Sequence, residues 1–312
     1  MKRILVMGAS GQIGSELTEE LMNRYGSENV FASDIRQSGD LAFEVHAHDC
    51  RDGNRTQELV KKFNIDTLYH LPALLSATAE QNPQAAWDIN MNGLYQSLEV
   101  CRQENCALFT PSTIGAFGSS TPKTKTPQDT IMRPETMYGV SKVAGELLCD
   151  YYFHRFGVDT RGVRYPGIIS NKVLPGGGTT DYAVEIFYEA IKNKKYTSYI
   201  RSDSFMDMMY MPDAISAAID VMEADPKKLK HRNAFNVTAM SFSPERLGKA
   251  IQKHIPDFVL SYDVDPIRQA IADSWPDSLD DSSAREEWNW QPNYDLNMMT
   301  ADMLTVLKEK LN

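Results

Sequence analysis

Hydrophobic positions change their period along the chain, and this predicts alternating strands and helices in the first half. Residues 3–8 (RILVMG) form an apolar run without alternation, which is typical of a strand buried on both faces. Ile13, Leu17 and Leu21 then recur every four residues, as on one helix face. Further strand-like runs lie at 29–34, 44–49, 67–73, 106–112 and 158–170, with helical patterns near 54–63, 84–103 and 136–155. This rhythm predicts an α/β fold, a Rossmann doubly wound parallel sheet covered by helices.

The rhythm breaks after residue 170. A Gly-rich loop (174–181) precedes a helix near 181–193, a short strand and helix within 208–224, and a last helix near 297–311. We therefore expect two domains, a Rossmann domain over 1–170 and a smaller, mixed substrate-binding domain over 171–312. Part of 206–238 is expected to return to the first domain.

The first strand is followed by GASGQIG, which places Gly8, Gly11 and Gly14 at the spacing of a dinucleotide fingerprint. Gly8 allows a tight turn, Gly11 the approach of a pyrophosphate, and Gly14 close packing of helix on strand. The phosphates would lie at the helix N-terminus, beside Gln12 and Ile13. The alternative is a strand–turn–helix that binds no ligand, and the surrounding strand and helix favour the nucleotide.

Asp34 ends the second predicted strand at the distance expected of a ribose-binding carboxylate. Such a carboxylate accepts hydrogen bonds from both ribose hydroxyls and repels a 2′-phosphate, so the predicted cofactor is NAD rather than NADP. Arg36 works against this preference, because a nearby Arg can hold a 2′-phosphate.

Two Tyr/Lys pairs have the four-residue spacing that brings side chains to one helix face, Tyr138/Lys142 and Tyr188/Lys192. Roughly one such pair is expected by chance in a chain of this composition, so the spacing alone decides nothing. Only the first pair follows a hydroxyl-bearing strand end, PST at 111–113. Since open α/β sheets bind ligands at the carboxyl ends of their strands, we take Tyr138/Lys142 as the functional pair.

The phosphate loop, the aspartate, the Ser/Thr strand end and Tyr-x-x-x-Lys occur in an order that resembles the extended short-chain dehydrogenase/reductase family. The resemblance implies that Tyr138 is the general base, that Lys142 lowers its pKa and binds the nicotinamide ribose, and that Ser112 and Thr113 hold the reacting hydroxyl. It also implies further cofactor contacts from Asp49, Cys50, Leu71, Ala73, Asn90, Tyr165 and Gly167.

Longer segments resemble one branch of that family, the epimerase-like L-threonine 3-dehydrogenases. They are LLSATAEQNP (74–83), PSTIGAFG (111–118), RYPGIIS (164–170), PGGGTTDYAVEIF (175–187) and ADSWPDSLDDSSAREEWNW (272–290). This resemblance implies oxidation of the C3 hydroxyl of L-threonine by NAD to 2-amino-3-ketobutyrate, with no metal ion. The extended family also commonly dimerises through helices beside the sheet, so we expect a homodimer formed by the helices near 84–103 and 136–155.

The substrate carboxylate needs hydrogen-bond donors, and GGGTT offers backbone N–H groups and the hydroxyls of Thr179 and Thr180. Ser76 is a further candidate. Capping of the following helix is an equally good interpretation of the two threonines, and the two roles are compatible.

Composition limits the partners. The net charge of −10 argues against nucleic acid or an anionic membrane surface, because both need concentrated positive charge. No apolar run is long enough to span a bilayer. The cysteines show neither a Cys-x-x-Cys pair nor nearby histidines, so we expect no zinc site and a reducing, cytoplasmic location; they are Cys50, Cys101, Cys106 and Cys149.

Two other functions stay open from the sequence. A nucleotide-sugar 4-epimerase or dehydratase on the same fold would have to hold a diphosphate, for example with Arg201, Arg246 or Arg268. A non-catalytic NAD-binding sensor would not need Tyr138 and Lys142. His70 is interpreted as a packed histidine, and Trp275, Trp288 and Trp290 as packing residues of the second domain, with closure of some of the three over the substrate as the alternative.

Overall fold

Fourteen strands and twelve α-helices form in the ranges that this computed structural model describes, residues 1–36, 41–172 and 178–311. The strands are β1 (Ile4–Met7), β2 (Val30–Asp34), β3 (Val45–Ala47), β4 (Thr67–His70), β5 (Ala107–Phe109), β6 (Ser112–Thr113), β7 (Thr160–Arg161), β8 (Val163–Tyr165), β9 (Gly167–Ile169), β10 (Lys195–Ser198), β11 (Met206–Tyr210), β12 (Phe235–Asn236), β13 (Met240–Phe242) and β14 (Val259–Tyr262). The helices are α1 (Gln12–Tyr25), α2 (Gly53–Phe63), α3 (Ser76–Gln81), α4 (Pro83–Trp87), α5 (Gly93–Glu104), α6 (Met137–Phe156), α7 (Tyr182–Asn193), α8 (Met211–Glu223), α9 (Pro244–Gln252), α10 (Pro266–Ser274), α11 (Ser282–Trp288) and α12 (Leu296–Leu311). None of these helices is long and apolar enough to cross a membrane.

The main sheet has six parallel strands in the order β3-β2-β1-β4-β5-β7, which confirms the predicted α/β fold class. All four residues of β1 are buried, as its uninterrupted apolar run requires. On one face, Ile4 and Val6 pack with apolar residues of α1 and α8. On the other, Leu5 and Met7 pack with residues of α2, α5 and α6. The strand order therefore places the carboxyl ends of β1, β4 and β5 side by side.

Two predicted strands are each broken into shorter ones, which corrects the expectation for 106–112 and 158–170. The first gives β5 and β6, separated at Pro111. The second gives β7, β8 and β9, which lie in three different sheets. Gly162 and Pro166 separate them: a Cβ on Gly162 would lie 2.2 Å from the Thr110 carbonyl oxygen, and proline lacks the N–H that a ladder needs.

The predicted helix at 84–103 is likewise interrupted. It forms α4 and α5, joined by one π-helical turn at Asp88–Asn92. The helix α3, which precedes it, is not predicted from the sequence pattern. Residues 174–177 of the predicted Gly-rich loop lie outside the described residues.

The second half builds two smaller sheets, β9-β11-β13 and β10-β14, around an apolar cluster that includes residues of α7, α9 and α12. The chain also returns to the first half. β12 pairs with β8, and α8 packs beside α1. Trp288 and Trp290 pack in the apolar cluster that contains residues of β1, α1 and α8. They do not belong to the cluster of the second half, which corrects the expectation for them. The boundary near 170 stays a prediction.

Candidate active site

A cleft of about 590 Å³ opens at the carboxyl ends of the main-sheet strands. Every predicted cofactor, substrate and catalytic residue lines it except Asn90. The glycine loop forms one wall with Leu71, Ala73 and Ser76. One group of predicted residues lies toward β2 and β3: Asp34, Arg36, Asp49 and Cys50. The other group lies toward β6, β8 and β9: Ser112, Thr113, Tyr138, Lys142, Tyr165, Gly167, Thr179 and Thr180. We call this second group the reacting end.

The glycine loop has the shape that a pyrophosphate needs. Gly8 has a φ of +77°, which disfavours any residue with a Cβ. A Cβ on Gly14 would lie 2.1 Å from the Gly8 carbonyl oxygen, so only glycine lets α1 approach the turn this closely. Gly11 is the N-cap residue of α1 and has no side chain that could cap that terminus. The N–H groups and the helix dipole therefore fit the phosphates of a dinucleotide.

The Asp34 side chain is fixed in position by backbone hydrogen bonds. Its carboxylate is buried and accepts hydrogen bonds from the Ser10 N–H (3.0 Å) and the Arg36 N–H (2.8 Å). The largely exposed Arg36 guanidinium lies 3.8 Å from the same carboxylate. A fixed anion at this position accepts from the ribose diol of NAD and repels a 2′-phosphate.

Arg51 also lines this end of the cleft, and the sequence interpretation did not select it. It bridges Asp49 (3.0 Å from Nε) and Asp88 (2.6 Å from Nη1). The guanidinium lowers the pKa of Asp49, so this carboxylate is ionised where the adenine is expected. No local pattern reveals the bridge, because Asp88 comes from a distant segment.

The reacting end is organised by the start of α6. The Thr136 hydroxyl caps the helix by accepting from the Gly139 N–H (3.0 Å). Tyr138 lies in the first turn of this helix and faces the cleft beside Thr113. One turn later, Lys142 Nζ donates to the Pro111 carbonyl oxygen (2.8 Å) and lies 5.7 Å from the Tyr138 ring centroid. Helix and strand end thus place a phenol, a hydroxyl and an amine together.

Burial shifts both titrating groups of this pair. It raises the pKa of Tyr138 to about 12, against the opposing hydrogen bond from Thr113. It lowers the pKa of Lys142 to about 8, against the opposing charge of Glu146. Lys142 therefore loses its proton as the pH rises through about 8. Its charge, and with it the support for a Tyr138 phenolate, changes within the ordinary working range of an enzyme.

The two hydroxyls of the strand end have different partners. The Thr113 hydroxyl lies beside Tyr138 and accepts from the Gly115 N–H (3.1 Å), whereas the Ser112 hydroxyl donates to the Glu146 carboxylate. Glu146 in turn pairs with Arg164 (2.8 Å), and both side chains are buried. Sequence interpretation missed Glu146 and Arg164; the only signal for Glu146 was its place one turn after Lys142 on α6.

Asn90 lies beneath the cleft and joins two of its walls. Its side chain accepts from the Leu74 N–H (2.8 Å) and donates to the Leu74 carbonyl oxygen (3.2 Å) and to Ser141 (3.1 Å). His70 is buried nearby, with Nδ1 2.9 Å from the Ser97 hydroxyl. Burial lowers the pKa of His70 to about 3, so the ring is neutral, as a packed histidine should be.

The segment before α7 offers unused donors. Thr179 is buried, and its hydroxyl has no partner among the described residues. The N-cap residue of α7 is Asp181 and not one of the two threonines. In the described residues, Thr179 and Thr180 therefore do not cap this helix. Trp275 also lines the reacting end and packs on Ile114, directly after Thr113.

These features define an α/β protein that holds a dinucleotide beside a half-buried tyrosine–lysine pair. The chain belongs to the NAD dependent epimerase/dehydratase family, whose model matches residues 4–238.

Individual relatives match nearly the whole chain. An uncharacterized epimerase/dehydratase of Staphylococcus aureus is 57% identical over 99% of this chain and 98% of its own length. The structure of an L-threonine dehydrogenase from Clostridium difficile has a TM-score of 0.98 at 59% identity, covering 99% of this chain and 98% of that one. A monomeric L-threonine 3-dehydrogenase from a metagenome database has a TM-score of 0.96 at 43% identity, covering 99% and 100%.

Proposed function

We propose that the protein oxidises the C3 hydroxyl of L-threonine to the ketone of 2-amino-3-ketobutyrate, with NAD and without a metal ion. The observation that carries the chemistry is the placement of Tyr138 beside Thr113 on the wall of the cleft, with the Lys142 amine 5.7 Å from the Tyr138 ring centroid. The similarity to the L-threonine dehydrogenase of Clostridium difficile over the whole chain supports the choice of substrate.

In the proposed mechanism the C3 hydroxyl of threonine lies between Thr113 and Tyr138. The Thr113 hydroxyl orients it by hydrogen bonding, and Tyr138, as phenolate, takes its proton while the C–O bond becomes a carbonyl. The Lys142 ammonium stabilises the phenolate from one helical turn away. NAD, when bound, supplies the acceptor for the C3 hydride. Pro111 fixes Lys142 through its carbonyl oxygen, which keeps the amine beside the phenol.

The substrate carboxylate is proposed to lie against Thr179, Thr180 and Ser76. The unpartnered Thr179 hydroxyl supports this, because a buried donor without a partner costs about 1–3 kcal/mol that a bound carboxylate would recover.

We expect Thr179→Val to raise the KM for threonine about tenfold, with a smaller change in kcat. The affinity for NAD, measured by fluorescence titration, should stay unchanged, and Thr179→Ser should restore most of the KM. An unchanged KM in the valine variant would remove Thr179 from the substrate site.

The test of the proposed function is absorbance at the NADH band with NAD, L-threonine and EDTA present. We expect a threonine-dependent rise that EDTA does not suppress. If NAD binds but no rise occurs with threonine, the proposed substrate is wrong, and nucleotide sugars become the compounds to screen.

The three arginines considered for the diphosphate of a nucleotide sugar have other partners among the described residues. Arg201 pairs with Asp273, and Arg246 and Arg268 stack on aromatic rings; none of the three lines the cleft. Among the described residues at the reacting end, Lys142 is the one Lys or Arg. A small amino acid therefore fits this end better than a sugar diphosphate, and we expect no turnover or binding of UDP-sugars.

We further propose a homodimer, because α4, α5 and α6 expose large apolar side chains. They are Trp87, Tyr95, Val140, Leu147, Tyr151 and Phe156. We expect Leu147→Glu to convert the dimer into a monomer in light scattering, since Leu147 is 60% exposed and a buried carboxylate disfavours association. Ile267→Glu is the matched control, at a residue 73% exposed elsewhere on the surface. A wild-type monomer at micromolar concentration would contradict this proposal.

A cytoplasmic location is the remaining part of the proposal. All four cysteines are free and buried, which suits a reducing compartment.

A further inference from the structure

We propose that Glu146 is a positioning residue of the reaction: its carboxylate, fixed by Arg164, orients the Ser112 hydroxyl and keeps the Lys142 side chain charged. The inference rests on the proposed function for its kinetic consequences, but its structural basis does not depend on the identity of the substrate.

Glu146 lies on α6 one turn after Lys142, and its carboxylate has two kinds of donor. Arg164 donates to it from Nε (3.0 Å) and from Nη2 (2.8 Å), in the paired arrangement that fixes a carboxylate in orientation as well as position. The Ser112 hydroxyl donates to the same oxygen as Arg164 Nε. The strand end that carries Thr113 is therefore tied to the helix that carries Tyr138 and Lys142.

Arg164 is itself held from two other directions. Its Nη1 donates to the Gln128 carbonyl oxygen (2.8 Å) and to Asn236 Oδ1 (3.0 Å). Its guanidinium also stacks 5.2 Å from the Phe117 ring centroid. A buried cation with this many partners cannot follow small movements of Glu146, so it defines where the carboxylate lies.

Lys142 and Glu146 line one small cavity of about 20 Å³ beneath the cleft, together with Ser112 and His70. This is about the space that one water molecule needs. The Glu146 carboxylate is buried and Lys142 is half-buried, so solvent screens the attraction between their charges less than it would at the surface. The carboxylate is the main influence that opposes the effect of burial on the pKa of Lys142.

The other titrating groups around Lys142 do not replace this charge. Burial keeps the His70 ring neutral by lowering its pKa and keeps the Cys149 thiol protonated by raising its pKa. In the resting protein Tyr138 is a neutral phenol, because burial raises its pKa, so it adds no negative charge beside Lys142. Arg164, beyond Glu146, partly offsets the carboxylate. Of the groups described around this amine, Glu146 supplies the negative charge.

The consequence concerns which group of the pair loses a proton. When the pair Tyr138–Lys142 has lost one proton, the reactive form is phenolate with ammonium and the inactive form is phenol with free amine. Removing the Glu146 charge favours the inactive form. At low pH the amine stays protonated in either case, so the loss of rate should appear only at higher pH.

The experiment is a titration of Lys142 in Glu146→Gln, followed by lysine side-chain NMR in the protein without added ligand. The Lys142 signal is assigned by its loss in Lys142→Met. We expect a midpoint near 8 in the wild-type protein and about one pH unit lower in the variant. Asp150→Asn, one turn further along α6, removes a neighbouring carboxylate as the matched control and should leave the midpoint unchanged.

The kinetic arm uses kcat for threonine against pH. At pH values above the wild-type midpoint, the kcat of Glu146→Gln should be about tenfold lower than that of the wild type. The two kcat values should converge one to two pH units below that midpoint. Glu146→Asp, which keeps the charge, should recover most of the high-pH rate. A purely structural role predicts the same loss at every pH, and that result would overturn the proposal.

Arg164→Gln gives an independent test if Glu146→Gln fails to fold. In this variant no Arg164 charge offsets the Glu146 carboxylate. The titration midpoint of Lys142 should therefore rise, whereas it falls in Glu146→Gln. An unmoved midpoint in every folded variant would overturn the proposal even if the wild type oxidises threonine. A shifted midpoint in a wild type inactive on threonine would instead support the role of Glu146 and reject the substrate.

Discussion

Replacing Tyr138 by Phe is expected to reduce threonine oxidation by roughly 10³-fold or more, whereas the affinity for NAD stays within about twofold of the wild type. Phenylalanine keeps the ring at the start of α6 and removes only the hydroxyl. The proton of the substrate then has no acceptor at the reacting end, since Lys142 is oriented toward Pro111. Binding of the dinucleotide depends mainly on the glycine loop and Asp34, which this substitution does not touch.

A matched control lies in the other Tyr/Lys pair. Lys192 Nζ lies 5.8 Å from the Tyr188 ring centroid, almost the geometry of the Tyr138/Lys142 pair, for which the distance is 5.7 Å. Tyr188 does not line the cleft. We therefore expect Tyr188→Phe to keep full activity. Stopped-flow turnover at saturating NAD measures both variants, and thermal unfolding checks that both are folded.

The outcome separates the two classes of function. A dehydrogenase loses turnover in Tyr138→Phe and keeps NAD binding, whereas a non-catalytic NAD sensor shows no threonine-dependent NADH even in the wild type. Near wild-type turnover in Tyr138→Phe would show that another group is the base and that the proposed mechanism is wrong.

The comparison of these two pairs also shows what a sequence can and cannot predict about this site. Local spacing gives the same Tyr-over-Lys geometry twice, because a helix fixes it. Tyr138 differs from Tyr188 because it follows a hydroxyl-bearing strand end. The preference for Tyr138 therefore depends on the rule that open α/β sheets bind ligands at the carboxyl ends of their strands. The main sheet was predictable in the same way, since each β-α unit carries its own hydrophobic period.

What the sequence did not reveal depends on contacts between distant segments. Arg164 of β8 reaches Glu146 of α6, and Arg51 joins Asp49 to Asp88. No period or motif encodes such pairs. The breaks at Gly162 and Pro166 were visible as residues, but their effect, three strands in three sheets, follows from partners such as β12 that lie far along the chain.

Substitutions in the glycine loop should separate the fold from the cofactor site. In Gly14→Ala the new methyl group would lie 2.1 Å from the Gly8 carbonyl oxygen and 2.9 Å from Ala9 Cα. Both are backbone atoms, so no side-chain rotation relieves the clash and α1 has to move away from the turn. We expect a loss of about 1–3 kcal/mol in the free energy of unfolding. Because the phosphate-binding N–H groups move with α1, NAD affinity should fall roughly 100-fold.

Gly11→Ala is the matched variant, in which we expect NAD binding to weaken while the stability of the fold stays nearly normal. Its φ of −81° suits any residue, and its Cβ would meet only the Gly8 carbonyl oxygen, at 3.2 Å. The protein without NAD should therefore unfold within a few degrees of the wild type. The methyl group nevertheless occupies the face that the pyrophosphate approaches, and we expect at least about tenfold weaker NAD binding.

The two effects are measured by thermal unfolding with and without NAD. The wild type should gain stability in proportion to the logarithm of the NAD concentration. Gly11→Ala should start from a nearly normal midpoint and gain little, whereas Gly14→Ala should start lower and gain little. A normal NAD-dependent gain in Gly14→Ala would mean that α1 tolerates the displacement and that its N-terminus does not bind the phosphates. A normal gain in Gly11→Ala alone would place the pyrophosphate away from Gly11 while leaving the helix N-terminus as its site.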